Sequence, residues 1–192
     1  MNKRVGIVLL TKRIPNNPGV RWDAVEKTVR HYHSLYDNFT IYLCGNGPQE
    51  SPTEEVVKKV HSYNTLPMFD IQNLVRLGLE RATESAHSHC LVINGPLLCC
   101  DLSFMADDKV LLLAQKSRRE DMDSKLLRND FMFGKTRTLM RMWTNRPFDG
   151  VMSDQYNMYK NVFNIFGRKG IYESDKLSMK TAEELYLKRA TA

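Results

Sequence analysis

The chain has 192 residues, of which 42% are hydrophobic and 26% charged, and its formal net charge is +6. This composition excludes a disordered or fibrous chain, and the length suits a single domain that buries about two thirds of its unfolded surface without a disulfide or metal staple. The positive excess is spread thinly, with small clusters at Lys12 and Arg13, Arg118 and Arg119, and Arg168 and Lys169, so it attracts phosphate-bearing partners without making a nucleic-acid footprint.

The N-terminal MNKRVGIVLLTKR starts like a signal peptide, but its apolar stretch is short and a second basic pair stands where a small-residue cleavage site belongs. Residues 5–10 therefore read as a strand buried on both faces. No later apolar run approaches the roughly 20 residues of a membrane helix. The segment KRIPNNPGVRW, with two prolines and a glycine, is a loop. Asp23 and Glu26 have capping-box spacing and open a helix that carries Val25, Val29, Tyr32 and Tyr36 on one face. Residues 39–44 form a second strand that ends in the turn GNGPQ, and Pro52 with Thr53 starts a short helix reaching about His61. Asp70 caps the next helix, which runs to about Ala86 with Ile71, Leu74, Val75, Gly78 and Ala82 as its inner stripe.

Residues 90–93 are a third buried strand, broken by Asn94-Gly95-Pro96. Residues 110–114 and 131–133 read as further strands, joined by the charged connection SRREDMDSKLLRND. A helix is expected over 154–166, stopped by Gly167, and a last one from Thr181, where Thr181 and Glu184 repeat the capping-box spacing. Strand-like and helix-like periods alternate. That predicts an α/β fold with a central, mostly parallel sheet flanked by helices, in one domain over 1–192.

Cys44, Cys90, Cys99 and Cys100 form no CxxC pair and sit mostly in apolar surroundings, as buried thiols do in a reducing compartment, which makes the expected location cytoplasmic. Cys99 and Cys100 point to opposite faces on a strand, and His31 and His33 diverge at i, i+2 on a helix, so neither pair forms a metal site. His87 and His89 flank a strand and are expected at the surface. The Met and aromatic residues between Phe131 and Trp143 are expected in the core. Trp22 reads first as a hydrophobic staple for the first helix and second as a base-stacking residue.

In open α/β sheets ligands gather at the carboxyl ends of the strands. Here those ends are Thr11-Lys12-Arg13, Gly45-Asn46-Gly47 and Asn94-Gly95-Pro96. The order of features resembles the nucleotide-binding half of GT-A glycosyltransferases: TKR after the first strand, CGNG after the second, and DIQNLVRLGLERA as a helix ending in Gly-Leu-x-x-Ala. Further on, RNDFMFGKTRTLMRMW and SDQYNMY are similar to WavE-like lipopolysaccharide-synthesis and algal-virus transferases. The resemblance covers roughly residues 5–160.

The resemblance implies a GT-A (Rossmann-like) fold, with a nucleotide-binding half at 1–100 and an acceptor and catalytic half at 101–192. It implies an enzyme that moves a sugar from a nucleotide-sugar, a UDP-sugar first of all, to a hydroxyl acceptor. The acceptor could be a glycan, a lipid-linked sugar, a protein or a modified DNA base, lying over the C-terminal third and residues 117–128. Thr11 and Arg13 would line the base and ribose, Asn46 would meet the uracil or ribose, and Asp70, Gln72, Asn73 and Arg76 would border the nucleotide. Asp154 would serve as general base, with Asp130 as second candidate. Asp70 and Asp154 also stand at predicted helix starts, where a carboxylate is stabilised whatever the function.

The family's acidic DxD motif holds Mn²⁺ or Mg²⁺ on the diphosphate, and here that position reads NGP. Both carboxylates are missing, Asn94 retains only the capacity to meet a hydroxyl, and Asp101 nearby has no partner in sequence. The expectation is therefore weak or absent metal dependence, with Lys12, Arg13 or Arg76 offsetting the diphosphate charge. Two other readings stand beside this one: a GT-A-fold nucleotide-binding or scaffold protein that lost activity with its carboxylates, and a nucleotidyltransferase, for which KRIPNNPGVR is a poor phosphate loop.

Overall fold

The structure is a computed structural model that describes residues 3–11, 22–35, 39–46, 52–66, 71–95, 97–99, 102–106, 112–116, 127–144, 172–173 and 179–181. Along the chain its elements are β1 (Val5–Thr11), α1 (Trp22–Leu35), β2 (Thr40–Asn46), α2 (Glu54–Lys59), β3 (Ser62–Leu66), α3 (Ile71–Glu84), β4 (His89–Asn94), β5 (Leu97–Cys99), β6 (Leu112–Lys116), β7 (Leu127–Lys135), α4 (Thr136–Thr144), β8 (Tyr172–Glu173) and β9 (Met179–Thr181). The main sheet has seven strands in the order β3-β2-β1-β4-β7-β6-β8. Strand β7 is antiparallel to both its neighbours and the other pairings are parallel, so six strands run one way. Strands β5 and β9 form a separate antiparallel pair. The expected mostly parallel sheet flanked by helices is thus the fold observed.

The central strand β1 is buried at every position because it faces a core on each side. Val5, Ile7 and Leu9 enter one core with Val25, Val29 and Tyr32 of α1 and Val56 of α2. Val8 and Leu10 enter the other with Leu74, Val75 and Leu79 of α3 and Leu139, Met142 and Trp143 of α4. The stripe read for α3 is the one it buries. Phe131, Met132, Phe133, Met142 and Trp143 lie in the cores, as their composition suggested.

The short helix α2 stops at Lys59 rather than near His61, where Val60 is already extended. Residues 62–66, not read as a strand, form the edge strand β3. They are mostly half-buried and polar, so neither a buried-strand nor an alternating pattern shows in them. Thr181, expected to start a helix, ends β9. The helix expected over 154–166 and the residues after Thr181 lie outside the described residues.

His87 corrects the surface expectation, since it is only 8% exposed. Helix α3 closes with bonds from Ala86 N–H to the Thr83 carbonyl (2.9 Å) and from His87 N–H to the Ala82 carbonyl (2.9 Å), and Ala86 takes φ 58°. This is a Schellman closure with alanine where glycine is usual. It turns His87 inward, where the Tyr42 hydroxyl lies 3.1 Å from Nδ1 and the two rings meet edge-on. An L-residue in the left-handed region costs about 1–2 kcal/mol, so Ala86→Gly is expected to raise stability by about 1 kcal/mol and the melting temperature by about 2–4 °C. Thermal and urea unfolding check this, and an unchanged midpoint contradicts it.

Burial lowers the His87 pKa from its ordinary 6.5, with Arg4 and His61 pushing the same way. The unfolded chain therefore takes up a proton first as the pH falls. The stability contributed by neutral His87 is complete above about pH 6.5 and is lost as the pH drops towards the lower folded pKa. Unfolding free energy measured from pH 7 to pH 5 is expected to fall, and less steeply in His87→Phe. Equal slopes in the two proteins would show that His87 does not carry the effect.

Candidate functional site

The carboxyl ends of β2, β1 and β4 lie side by side, with neighbouring strands about 4.8 Å apart. Thr11 pairs with Gly45, Leu10 with Asn94, and Asn46 with Leu66. Three of the positions singled out in the sequence, Thr11, Asn46 and Asn94, therefore come to one edge of the sheet. The ladder between β4 and β7 ends at Ile93 and Phe131, the residues next to Asn94 and Asp130 in the chain. No sequence signal relates these two strand ends. The antiparallel return of β7 does.

On the α1 side of this edge, Thr11 is 3% exposed and its hydroxyl is 3.5 Å from the Cys44 carbonyl. A Cβ on Gly45 would stand 2.7 Å from Thr11 Oγ1 and 2.9 Å from Tyr63 Oη. Glycine at this position lets both hydroxyls close in on the β2 backbone. Trp22 opens α1 and meets Tyr63 edge-on, with ring centroids 6.0 Å apart, packed against the core as a staple would be. Its Nε1 is buried and has no hydrogen-bond partner among the described residues.

On the α3 and α4 side stands Asn94, 6% exposed, in line with Cys90 and Val92. Its Oδ1 is also buried without a hydrogen-bond partner among the described residues. Gly95 follows with φ 96° and donates its N–H to the Leu10 carbonyl at 3.1 Å. An unpartnered buried acceptor costs about 1–3 kcal/mol, so the Asn94 amide oxygen carries an unmet hydrogen-bonding capacity.

Gln72 Nε2 donates to the Trp143 carbonyl at 2.7 Å, tying the start of α3 to the end of α4, and Asn73 is half-buried beside it. Arg76 lies farther along α3, exposed, 3.5 Å from Glu80 in an ion pair that contributes little at such exposure. Lys12, Arg13, Asp70 and Asp154 lie outside the described residues. Gly45, Tyr63 and Trp22 were not tied together by sequence. The parallel pairing of β1, β2 and β3, with α1 packed against it, assembles them.

A hard divalent cation takes several oxygen ligands, usually carboxylates. Asn94 offers one neutral amide oxygen, and among the described residues no group of His, Cys, Asp and Glu side chains could hold a metal. The described residues do not fit a Mn²⁺ or Mg²⁺ site. Burial pushes the Cys44 thiol up to about 12 and the Cys90 thiol to about 11, which favours the protonated form and makes both poor nucleophiles. Among the described residues no helix is long and apolar enough to cross a membrane.

No protein-family model and no curated protein matches the chain. Solved structures do. A putative nucleotide-diphospho-sugar transferase from Desulfovibrio desulfuricans matches over 90% of this chain and 80% of its own, at TM-score 0.54 and 9% identity. Glucosyl-3-phosphoglycerate synthase from Mycobacterium tuberculosis, in complex with Mn²⁺, UDP and glucosyl-3-phosphoglycerate, matches over 96% of this chain and 75% of its own, at TM-score 0.61 and 10% identity. The same synthase with Mn²⁺, UDP-glucose and phosphoglyceric acid matches over 89% and 69%, at TM-score 0.59 and 10% identity. At such identities the likeness establishes the fold, which is that of the nucleotide-diphospho-sugar transferases.

Proposed function

We propose that this chain is a glycosyltransferase that seats a nucleotide-sugar across the carboxyl ends of β2, β1 and β4 and passes the sugar to a hydroxyl acceptor. The observation that carries the reading is the buried, unpartnered Oδ1 of Asn94 at a strand end that ligands occupy in open α/β sheets. An amide oxygen there accepts from a sugar hydroxyl. UDP and UDP-glucose in the structural neighbours support a uridine donor.

In this reading Thr11 and Asn46 receive the base and ribose, and Asp70, Gln72 and Asn73 border the nucleotide. Asn94 holds the sugar. Lys12, Arg13 and Arg76 are the side chains offered to the diphosphate. The acceptor hydroxyl attacks the anomeric carbon, the nucleoside diphosphate leaves, and a carboxylate takes the hydroxyl proton. Asp130 is favoured for that role by its place next to Phe131, which pairs with Ile93 at the end of β4, and Asp154 by the SDQY resemblance. The narrower WavE-like and viral kinship is supported by the strand and helix, β7 then α4, that the RNDFMFGKTRTLMRMW stretch forms. The acceptor stays open among a glycan, a lipid-linked sugar, a protein and a modified DNA base.

Titration calorimetry and turnover with UDP-, GDP- and TDP-sugars, each with and without Mn²⁺, tests the proposal. Transfer or slow hydrolysis of one donor, with little gain from Mn²⁺, is expected. Binding without turnover leaves a nucleotide-binding protein. No heat with any nucleotide overturns the site.

A further inference from the structure

Strand β5 begins three residues after Asn94, and two elements hold its opposite edges. Successive residues of a strand turn their backbone groups to alternate edges. Leu98 faces Lys180 of β9 across the ladder. Leu97 and Cys99 stand opposite Thr181 and Met179 in the same ladder, and the Leu97 carbonyl and the Cys99 N–H and carbonyl turn to α1, where the partners are side chains. The Tyr32 hydroxyl donates to the Leu97 carbonyl at 2.9 Å and accepts from the Cys99 N–H at 3.1 Å. His31 Nε2 lies 2.9 Å from the Cys99 carbonyl. Tyr32 is fully buried, so one oxygen at fixed depth takes the place of a neighbouring strand.

The turn that carries Asn94 is therefore pinned at both ends. Gly95 N–H is bonded to the Leu10 carbonyl, Leu97 N–H to the Gly95 carbonyl, and β5 beyond them is clamped to α1.

We infer that Tyr32 is a positioning residue for the donor sugar, acting through β5 on the Asn94-Gly95 turn, with His31 as a lesser partner in the same clamp. The inference rests on the nucleotide-sugar reading above. Tyr32→Phe keeps the ring in its core and removes the oxygen. The Leu97 carbonyl and Cys99 N–H then lose their bonds to Tyr32, β5 re-seats, and Asn94 shifts with it. Displacements of about 1 Å at a positioning group weaken function by up to about a hundredfold. The base and ribose, on β1 and β2, are untouched.

The test compares UDP with UDP-glucose binding in the full chain, by calorimetry, for wild type, Tyr32→Phe, His31→Ala and Leu139→Ala. Leu139 is buried against the other face of the sheet and stands for a purely structural loss. In Tyr32→Phe the UDP-glucose dissociation constant is expected to rise about tenfold while that of UDP moves less than about twofold. His31→Ala is expected to shift the same ratio in the same direction by about threefold, and it reads the clamp if Tyr32→Phe fails to fold. Leu139→Ala is expected to lower the melting temperature with the ratio unchanged. A wild-type ratio in a folded Tyr32→Phe, or in His31→Ala if Tyr32→Phe does not fold, overturns the inference and leaves the function standing. So does an equal shift in Leu139→Ala. A wild type that binds neither UDP nor UDP-glucose overturns the function and the inference with it.

Discussion

Gly78→Ala is expected to destabilise the protein by about 1–3 kcal/mol, against the gain of about 1 kcal/mol that alanine normally brings to a helix interior. Helix α3 lies so close to the sheet that a Cβ on Gly78 would overlap Val8 Cγ1 and stand 3.1 Å from both Val8 Cγ2 and Cys44 Sγ. Val8 is β-branched, fully buried and in the central strand, so it has no rotamer to retreat into. The helix must lift instead, which loosens Leu74, Val75, Leu79 and Ala82 together. Gly78→Val is expected to exceed this and to leave little folded protein, because native stability totals only about 5–15 kcal/mol. Urea unfolding of the two variants checks it. A more stable Gly78→Ala would mean that α3 does not pack this closely.

Asn94→Ala is expected to separate function from stability. Its Oδ1 has no hydrogen-bond partner among the described residues, so truncation removes an uncompensated buried group as well as packing. The two effects oppose each other, and the unfolding free energy is expected to change by less than about 1 kcal/mol. Affinity for the nucleotide-sugar, or kcat/KM with it, is expected to fall about 10- to 100-fold, the loss of one good hydrogen bond in a dry site. A residue kept for the fold alone gives the reverse pattern. Asn94→Ala with wild-type affinity and turnover would remove Asn94 from the site and take away the observation on which the proposed function rests. Calorimetry with UDP-glucose and urea unfolding on the same samples read both quantities.

Most of the sheet was legible in sequence because its strands are buried on both faces. A strand between two cores must be apolar throughout, and VGIVLL and CLVI are. Helices α1 and α3 were legible because each has one buried stripe at helical spacing. Strand β3 was not, since an edge strand with half-buried residues has no such constraint on its side chains. Strands β5 and β9 are three residues each, too short for a period to show. The burial of His87 was hidden for another reason. It follows from a left-handed turn at Ala86, and alanine does not announce such a turn as glycine does.

The candidate site divides along the same line. Polar and small residues after each apolar run marked Thr11, Gly45, Asn46 and Asn94 as strand ends, because local composition registers where a buried strand meets water. Those positions and the α/β alternation belong to the sequence by itself. The tertiary structure alone decided which strand ends are neighbours, that β7 returns beside β4 with Phe131 opposite Ile93, that Thr11 and Tyr63 close in on Gly45, and that Tyr32 grips β5. Each of these depends on strand order, on register or on the depth of one buried oxygen. Such quantities are set by contacts between residues distant in the chain, and no local pattern of residue types encodes them.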